Sequence, residues 1–304
     1  MGVLLLIVTT FIWGTAFLAQ KFGADHLGPV AFTVLRNVLG GSFLLLVILF
    51  RNLKTRPQSK NRKIEKSINS SILAGACCGV PLFFAMTSQQ VGVEYTTPGV
   101  CAFLTTNYVL FVPLIAAFVS RRLPRLYIIS GAALALVGTY FICMTGEGEA
   151  AESFAGIGKG EAWSLLCAFL FALQMLSVDH FARKVDLLVM SASQLFACAL
   201  VGLPFMFALS SETAKLSFDA VTAAALPLVY CGVFSSGIAY TLQNVAQSRA
   251  SASVAAIVLS MESVFGALSG WLVLGDTLSV GQFFGCSLVL FAVIATQLFS
   301  CRDR

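Results

Sequence analysis

Charged side chains are scarce in this sequence. They make up 11% of the 304 residues, whereas a soluble domain carries about 25%. Hydrophobic residues make up 58%, and they gather in runs long enough to cross a hydrocarbon core as helices. A soluble enzyme or a nucleic-acid-binding domain does not fit this composition. The net charge of +5 is better explained by the loops of a polytopic membrane protein.

The sequence also has little that could hold a metal or perform catalysis. It contains two His, and none of its nine Cys forms a C-x-x-C pair, so no structural zinc site is expected. The nucleophile motif G-x-S-x-G, the zinc motif H-E-x-x-H and the phosphate-binding motif G-x-x-x-x-G-K-[ST] are missing. These absences argue against an intramembrane enzyme and an ATP-driven pump, and they predict a protein without cofactors.

Ten apolar stretches predict an all-α protein with ten transmembrane helices. They cover roughly 2–20, 29–50, 71–91, 96–119, 126–144, 160–181, 187–209, 223–247, 252–274 and 280–300. Most of the connections between them are short. The two longer ones are 51–70, which is rich in Lys and Arg, and 145–159, which carries Glu residues among glycines.

The basic residues predict the orientation of these helices, because cytoplasmic loops of membrane proteins are enriched in Lys and Arg. Seven basic residues lie between Arg51 and Lys66. The connections on the other side of the membrane hold only Lys21, Lys159 and Lys215. The sequence therefore predicts that both termini are cytoplasmic, as in an integral protein of a bacterial inner membrane.

The two halves of the chain resemble each other. A shift of 155 residues places Asn107 on Glu262 within similar surroundings. The predicted repeats are 1–145 and 159–304, joined by an acidic, glycine-rich outer linker at 146–158. Because each repeat has five spans, an odd number, the second repeat enters the membrane in the opposite direction. Inverted repeats of this kind place the substrate site near the bilayer midplane, between the halves.

Several segments carry a family resemblance. They include WGTAF from Trp13, YCGVFSSGIAYTLQNVAQSRASASVAAIVLSMESVFGALSGWLVLGDTLS from Tyr230, and GCSLVLFAVIA from Gly285. Through them the chain resembles the drug/metabolite transporter superfamily, with two EamA-type domains. The resemblance implies a ten-helix carrier, often an exporter of amino acids, of other small metabolites or of drugs.

Two departures from the family pattern bear on the prediction. The family usually has Glu-Pro in the ninth span, but here Ser263 follows Glu262, which leaves a kink at this point open. The small multidrug resistance proteins, which are related carriers, use a Glu of their first span to exchange protons for cations. The first span of this chain contains no carboxylate.

Glu262 lies near the middle of the ninth predicted span. An ionised side chain at the bilayer centre costs about 2.5–3.5 kcal/mol on insertion scales, so Glu262 is expected to face protein or water, or to carry a proton. Two interpretations remain open. Glu262 is either a proton-coupling site or counter-ion for a cationic solute, or a protonated carboxyl that braces two helices by hydrogen bonds.

Other side chains inside the spans are candidates to line a substrate cavity. They are Trp13, Ser88, Gln89, Asn107, Gln174, Tyr240, Gln243 and Asn244. On the eighth span, Tyr240, Gln243 and Asn244 share one helical face because they are three and four residues apart. The alternative interpretation is hydrogen bonding between helices, worth about 0.6 kcal/mol on average in membranes. For Trp13 the alternative is packing in the core.

Arg36 lies inside the second predicted span, about two turns from its outer end. At this depth its side chain is expected to reach the outer surface or to hold carbonyl groups at a helix end. The alternative is a counter-charge for an anionic solute.

The sequence therefore predicts a secondary transporter that moves a small-molecule solute across the lipid bilayer by alternating access. The expected function is export of small metabolites such as amino acids or related polar or amphipathic solutes. Alternatives are proton-coupled efflux of cationic compounds through Glu262, and a channel or scramblase, for which rings of charge or filter loops are missing. A monomer is expected, with an oligomer left open. No motif names the solute, the coupling ion or the direction of transport.

The predicted orientation can be tested with single cysteines in a variant without native Cys. We expect Ser153→Cys, in the outer linker, to react with a membrane-impermeant maleimide added to intact cells. Ser59→Cys, in the basic loop, should react only after the membrane is opened. Reaction of Ser59→Cys in intact cells would contradict the orientation.

Overall fold

The computed structural model describes residues 2–54, 62–96, 98–144, 158–269, 271–272 and 279–302, and these residues are helical nearly throughout, without a strand. Among them, nine helices are long and apolar enough to cross a membrane. A shorter apolar helix, Leu126–Ile142, lies between the fourth and fifth of these. The chain is therefore an all-α polytopic membrane protein, and its described part is consistent with ten spans.

The helices follow one another with short connections. They are α1 (Gly2–Ala24), α2 (Pro29–Lys54), α3 (Arg62–Tyr95), α4 (Pro98–Thr106), α5 (Tyr108–Ser120), α6 (Leu126–Met144), α7 (Lys159–Phe181), α8 (Leu187–Ala208), α9 (Ser210–Lys215), α10 (Phe218–Ala223), α11 (Ala225–Val229), α12 (Tyr240–Gln247), α13 (Ala252–Leu259), α14 (Glu262–Ser269) and α15 (Val280–Arg302). A π-helical segment, Tyr230–Ala239, joins α11 to α12.

The predicted spans agree with these helices in position, but α3 is longer than predicted. It begins at Arg62, whereas the predicted span begins at 71, because hydropathy locates the apolar part of a helix and not its end. The basic loop around Ser59, and nearly all of the linker 146–158, lie outside the described residues.

The fourth and ninth spans are each built from two helices, so the kink that the sequence left open in the ninth span is present as a break. α4 gives way to α5 at Asn107, and α13 to α14 at Ser260 and Met261. At both places a backbone N–H bonds to the carbonyl three residues back, from Asn107 to Leu104 and from Met261 to Val258. Under the shift of 155 residues the two breaks coincide to within two residues.

Polar side chains compensate the carbonyl groups near these breaks. Asn107 Nδ2 donates to the carbonyl oxygens of Phe103 at 3.2 Å and Leu104 at 2.9 Å. Ser260 Oγ donates to the Ile257 carbonyl at 2.7 Å. Irregular backbone at membrane depth needs such partners, because no water satisfies it there. The ninth span is therefore interrupted without the proline that the family usually has at this point.

Helices from the two halves of the chain pack in reciprocal pairs. α2 packs against α8, and α6 against α15. α3 packs against α8, as the π-helical segment packs against α2. α7 packs against α4 and α5, as α1 packs against α13 and α14. Each contact has a counterpart between the helices five spans away, so α1 and α7 each face one of the interrupted spans.

One end of the helix bundle, which we call the Glu212 end, is held together by polar contacts. The buried Glu212 carboxylate accepts backbone N–H groups of Val30 at 3.3 Å and Ala31 at 3.0 Å, and so it caps the start of α2. Lys215 Nζ lies 3.0 Å from Glu94 Oε1. The hydrogen bond to Glu94 raises the pKa of Lys215.

The opposite end, which we call the Asp186 end, is held together by a salt bridge and hydrogen bonds of its own. Arg51 Nη2 lies 2.9 Å from Asp186 Oδ2, and Asp186 Oδ1 accepts the N–H groups of Leu188 at 3.0 Å and Val189 at 3.2 Å. Burial alone would raise the pKa of Asp186, but the hydrogen bonds from Arg51 and the helix N-terminus lower it overall.

Close approach of backbones fixes α1 against α14. A Cβ on Gly14 would lie 2.6 Å from the Glu262 carbonyl oxygen and 2.7 Å from the Gly266 nitrogen. Glycine at this place lets the two helices touch, as small residues do in membrane helix pairs. The residue that places Glu262 beside α1 is thus a glycine of the first span.

This contact predicts unequal effects for two alanine substitutions across one interface. Gly14→Ala should lower the melting temperature in detergent, since forced overpacking costs about 1–3 kcal/mol. Gly266→Ala is the matched control, because its Cβ would meet only the Gly14 carbonyl oxygen at an ordinary 3.6 Å. Equal melting temperatures for the two variants would show that α1 and α14 are not packed as described.

Candidate functional site

A narrow cavity lies between the two halves of the chain, at the level of the helix breaks. Its volume is about 30 Å³, which leaves room for no more than a few water molecules. Its lining comes from α1, α2, α3, α4, α5, α7, the π-helical segment, α12, α13 and α14. The lining residues are Trp13, Phe17, Gln20, Arg36, Gln89, Thr105, Tyr108, Phe171, Gln174, Met175, Ser235, Tyr240, Gln243, Leu259 and Glu262.

Glu262 stands at the first position of α14 and is 4% exposed. Its Oε1 accepts a hydrogen bond from the hydroxyl of Tyr108, at 3.0 Å. Tyr108 is the first residue of α5, so this bond joins the two half-helices that begin at the two breaks. The start of a helix also favours a negative charge, because its unpaired N–H groups carry partial positive charge.

Trp13 and Tyr240 form one wall of the cavity. Their ring centroids are 4.8 Å apart. The indole Nε1 of Trp13 donates to the backbone oxygen of Ser235 at 3.2 Å, within the π-helical segment. This bond fixes the plane of the indole ring and so holds the aromatic wall in place. It also gives the Ser235 carbonyl, which belongs to an irregular helix, a hydrogen-bond partner.

Amide side chains form a second wall. Gln243 Nε2 lies 3.5 Å from Gln174 Oε1 and donates to Gln247 Oε1 at 3.0 Å. Gln247 Nε2 in turn donates to the Met175 carbonyl at 3.1 Å. Two atoms of the pair that lines the cavity, Gln174 Nε2 and Gln243 Oε1, have no hydrogen-bond partner. They leave one donor and one acceptor for a solute or for water.

The predicted site residues divide into two groups. Trp13, Gln89, Gln174, Tyr240, Gln243 and Glu262 all belong to the cavity lining. Ser88, Asn107 and Asn244 lie outside it. Asn107 bonds to its own helix at the α4–α5 break, and Asn244 Nδ2 donates to Ser191 Oγ at 2.9 Å and Gln194 Oε1 at 3.2 Å. Asn244 thus ties α12 to α8, away from the cavity.

The structure adds cavity residues that the sequence analysis missed. Tyr108 is the hydrogen-bond partner of Glu262. The repeat pairs Glu262 with Asn107, and Tyr108 is the next residue, so the repeat missed it by one position. Two interpretations of Arg36 were left open, a place near the outer surface or a helix end and a counter-charge for a solute; the residue is 2% exposed and lines the cavity. The signal was present in the sequence, since Arg36 is the only Lys or Arg within the ten predicted spans.

The cavity combines one acid, one base and several neutral polar groups within aromatic and apolar walls. The acid is Glu262 and the base is Arg36. In the described part of the chain they form no ion pair with each other. No group of three His, Cys, Asp or Glu side chains in the described ranges is placed to hold a metal ion. Such a lining can bind a small polar solute by hydrogen bonds and charge.

Sequence comparison identifies the kind of protein that carries this site. The EamA-like transporter family matches residues 1–144 and 158–297, which is nearly the whole chain. The chain belongs to the EamA-like transporter family. It is therefore a membrane transporter, and its site is expected to meet a small-molecule solute.

Relatives of this EamA-like transporter cover nearly its full length. A protein described as an uncharacterized transporter of Archaeoglobus fulgidus is 29% identical over 293 residues, which is 96% of this chain and 84% of that protein. The uncharacterized transporter YoaV of Bacillus subtilis is 23% identical over 303 residues, 98% of this chain and 97% of that protein. One solved crystal structure shares the fold, with a TM-score of 0.74 at 17% identity over 98% of this chain and 97% of that chain.

Proposed function

We propose that this EamA-like transporter is a secondary carrier that exports small metabolites, such as amino acids or related polar or amphipathic solutes, through the cavity between its halves. The observation that carries the proposal is the meeting of two interrupted helices at a buried polar cavity. Discontinuous transmembrane helices whose ends face a midplane cavity are the usual setting of substrate sites in secondary transporters.

The packing of the bundle supports alternating access by inverted repeats. The reciprocal contacts described above would follow from two repeats of five spans, 1–145 and 159–304, that enter the membrane in opposite directions. Rocking of one repeat against the other would then open the cavity toward each side in turn. With the Lys and Arg bias of the loops, both termini lie in the cytoplasm, and the Glu212 end faces outward.

The small size of the cavity fits a conformation closed to both sides. Ligand pockets for drug-sized molecules measure about 300–1,000 Å³, so this cavity must widen before a metabolite enters. At the Glu212 end, opening would separate Glu212 from the start of α2 and Lys215 from Glu94. At the Asp186 end it would separate Asp186 from Arg51. Each of these polar contacts joins one repeat to the other. In alternating access, such contacts between the repeats have to separate at the end that opens.

A second candidate function is proton-coupled efflux of cationic compounds. The burial of the Glu262 carboxyl in the cavity wall favours it, because a site that takes up and releases a proton must meet the transport pathway. The competing role is structural, since the Tyr108 hydroxyl already gives Glu262 a partner across the two breaks. In that role Glu262 holds α5 and α14 together.

Two substitutions of Glu262 separate coupling from bracing. Glu262→Gln keeps the shape and the acceptor for Tyr108 but cannot change charge. In proteoliposomes it should exchange solute down a gradient while losing the response to an imposed pH gradient. Glu262→Leu leaves the Tyr108 hydroxyl unpaired, and it should lower the melting temperature because a buried unsatisfied group costs about 1–3 kcal/mol.

The measurement is a screen of radiolabelled metabolites and cationic dyes in proteoliposomes, with and without a pH gradient. Asp219→Asn is the control, since Asp219 is an exposed acid on α10 and should leave the response to the gradient intact. Undiminished gradient-driven flux in Glu262→Gln would end the coupling role. Absence of flux for every solute in the parent protein would count against the carrier itself.

A further inference from the structure

Arg36 is a buried cation in the cavity wall, and in the described part of the chain it forms no ion pair, although Glu262 lines the same cavity. Arg36 is 2% exposed, and its Nε and Nη1 atoms are buried without a hydrogen-bond partner. The ion pairs found among the described residues join Arg51 to Asp186, Arg183 to Asp179 and Lys215 to Glu94. Arg36 takes part in none of them.

The surroundings of Arg36 do not neutralise it. Its guanidinium carbon lies 5.9 Å from the centroid of the Phe32 ring, which is at the edge of the range of a cation–π contact. The Cys231 thiol lies within hydrogen-bonding reach of the guanidinium, and Cys198 and Tyr240 lie within its electrostatic reach. All three side chains are neutral in their ordinary state. Glu262 is engaged with Tyr108 and forms no ion pair with Arg36 in the described structure.

A structural role of Arg36 is hard to reconcile with these contacts. A guanidinium stays protonated at every physiological pH, and an uncompensated buried charge costs several kcal/mol. An arginine that held helix carbonyls would use its nitrogens for hydrogen bonds, yet Nε and Nη1 make none. An arginine that reached the surface would be exposed, and this one is not.

We propose that Arg36 binds the anionic group of the transported solute, and that the solutes of this carrier are small organic carboxylates. The inference rests on the proposed function, because it assigns the ion-pair partner of Arg36 to the cargo. Guanidinium N–H groups match the two oxygens of a carboxylate in direction and spacing. One buried positive charge also suits one negative charge, whereas a phosphate dianion would bring an excess into a low-dielectric site.

The first test needs no ligand. Arg36→Met keeps a long side chain but removes the charge, so the purified full-length variant in detergent should melt at a higher temperature than the parent. Arg122→Met is the matched control, since Arg122 is exposed at the end of α5 and its removal should leave the melting temperature unchanged. A lower melting temperature for Arg36→Met would mean that Arg36 braces the fold, and it would overturn the proposal.

The second test compares each carboxylate with the corresponding amide, which lacks the negative charge, in thermal melts of the parent protein. Butyrate, 3-phenylpropionate and leucine are paired with butyramide, 3-phenylpropionamide and leucinamide, and inorganic phosphate is added as a separate arm. At least one carboxylate should raise the melting temperature with rising concentration, its amide should not, and Arg36→Gln should lose the shift while Arg122→Gln keeps it. Equal shifts for acids and amides, shifts by phosphate alone, or no shift by any carboxylate would overturn the proposal.

Flux measurements separate this inference from the proposed function. If a carboxylate stabilises the parent through Arg36 but never crosses proteoliposome membranes, the carrier function fails while the binding of carboxylates by Arg36 stands. If solutes cross equally well in the parent and in Arg36→Gln, the carrier function stands and the role of Arg36 is refuted.

Discussion

The hydrogen bond between Tyr108 and Glu262 is the interaction on which the centre of this molecule depends. A carboxyl group in the hydrocarbon core needs a partner, and the partner comes from the other interrupted span. Tyr108 begins α5 and Glu262 begins α14, so their hydrogen bond holds the two helix breaks at the same depth. The two breaks together form one polar centre, and the aromatic wall and the amide wall of the cavity both face it.

Close packing around this centre is what allows it to stay polar. Gly14 brings α1 into backbone contact with α14, so the carbonyl of Glu262 is covered without a side chain between the helices. Trp13, one residue earlier, turns its indole toward the π-helical segment and closes the wall with Tyr240. The same stretch of α1 therefore supplies both the contact that shields the site and part of its lining.

The sequence predicted the membrane-spanning helices and the amide stripe of the eighth span, because periodicity and hydropathy are local properties. It did not predict the break of the ninth span, since the compensating bonds come from serine side chains and not from a proline. For Arg36 it left a place near the outer surface open, because depth was judged from the distance to the start of α2. Glu212 of α9 binds the backbone at that start, and Phe32 shares an apolar cluster with Leu228 of α11, so two turns from the helix end is already deep inside the protein.

Pairing across the bundle was beyond sequence reasoning for a further reason. Asn244 shares a face with Gln243, yet the first bonds α8 and the second lines the cavity, because a helical face is wide enough to touch two neighbours. Likewise the repeat pointed to Asn107 as the companion of Glu262, but a shift by one residue gives that role to Tyr108. Spacing defines a face, whereas partners depend on how the helices are rotated against each other.

The central claim is that one cavity opens toward both sides of the membrane in turn. Single cysteines in a protein without native Cys test it directly, at Ser235, which lines the cavity, and at the adjacent Ser236, which is buried outside it. We expect Ser235→Cys to react with an impermeant thiol reagent applied to either face of the membrane, and Ser236→Cys to react from neither. Reaction of Ser235→Cys from one face only, or equal reaction at both positions, would contradict it.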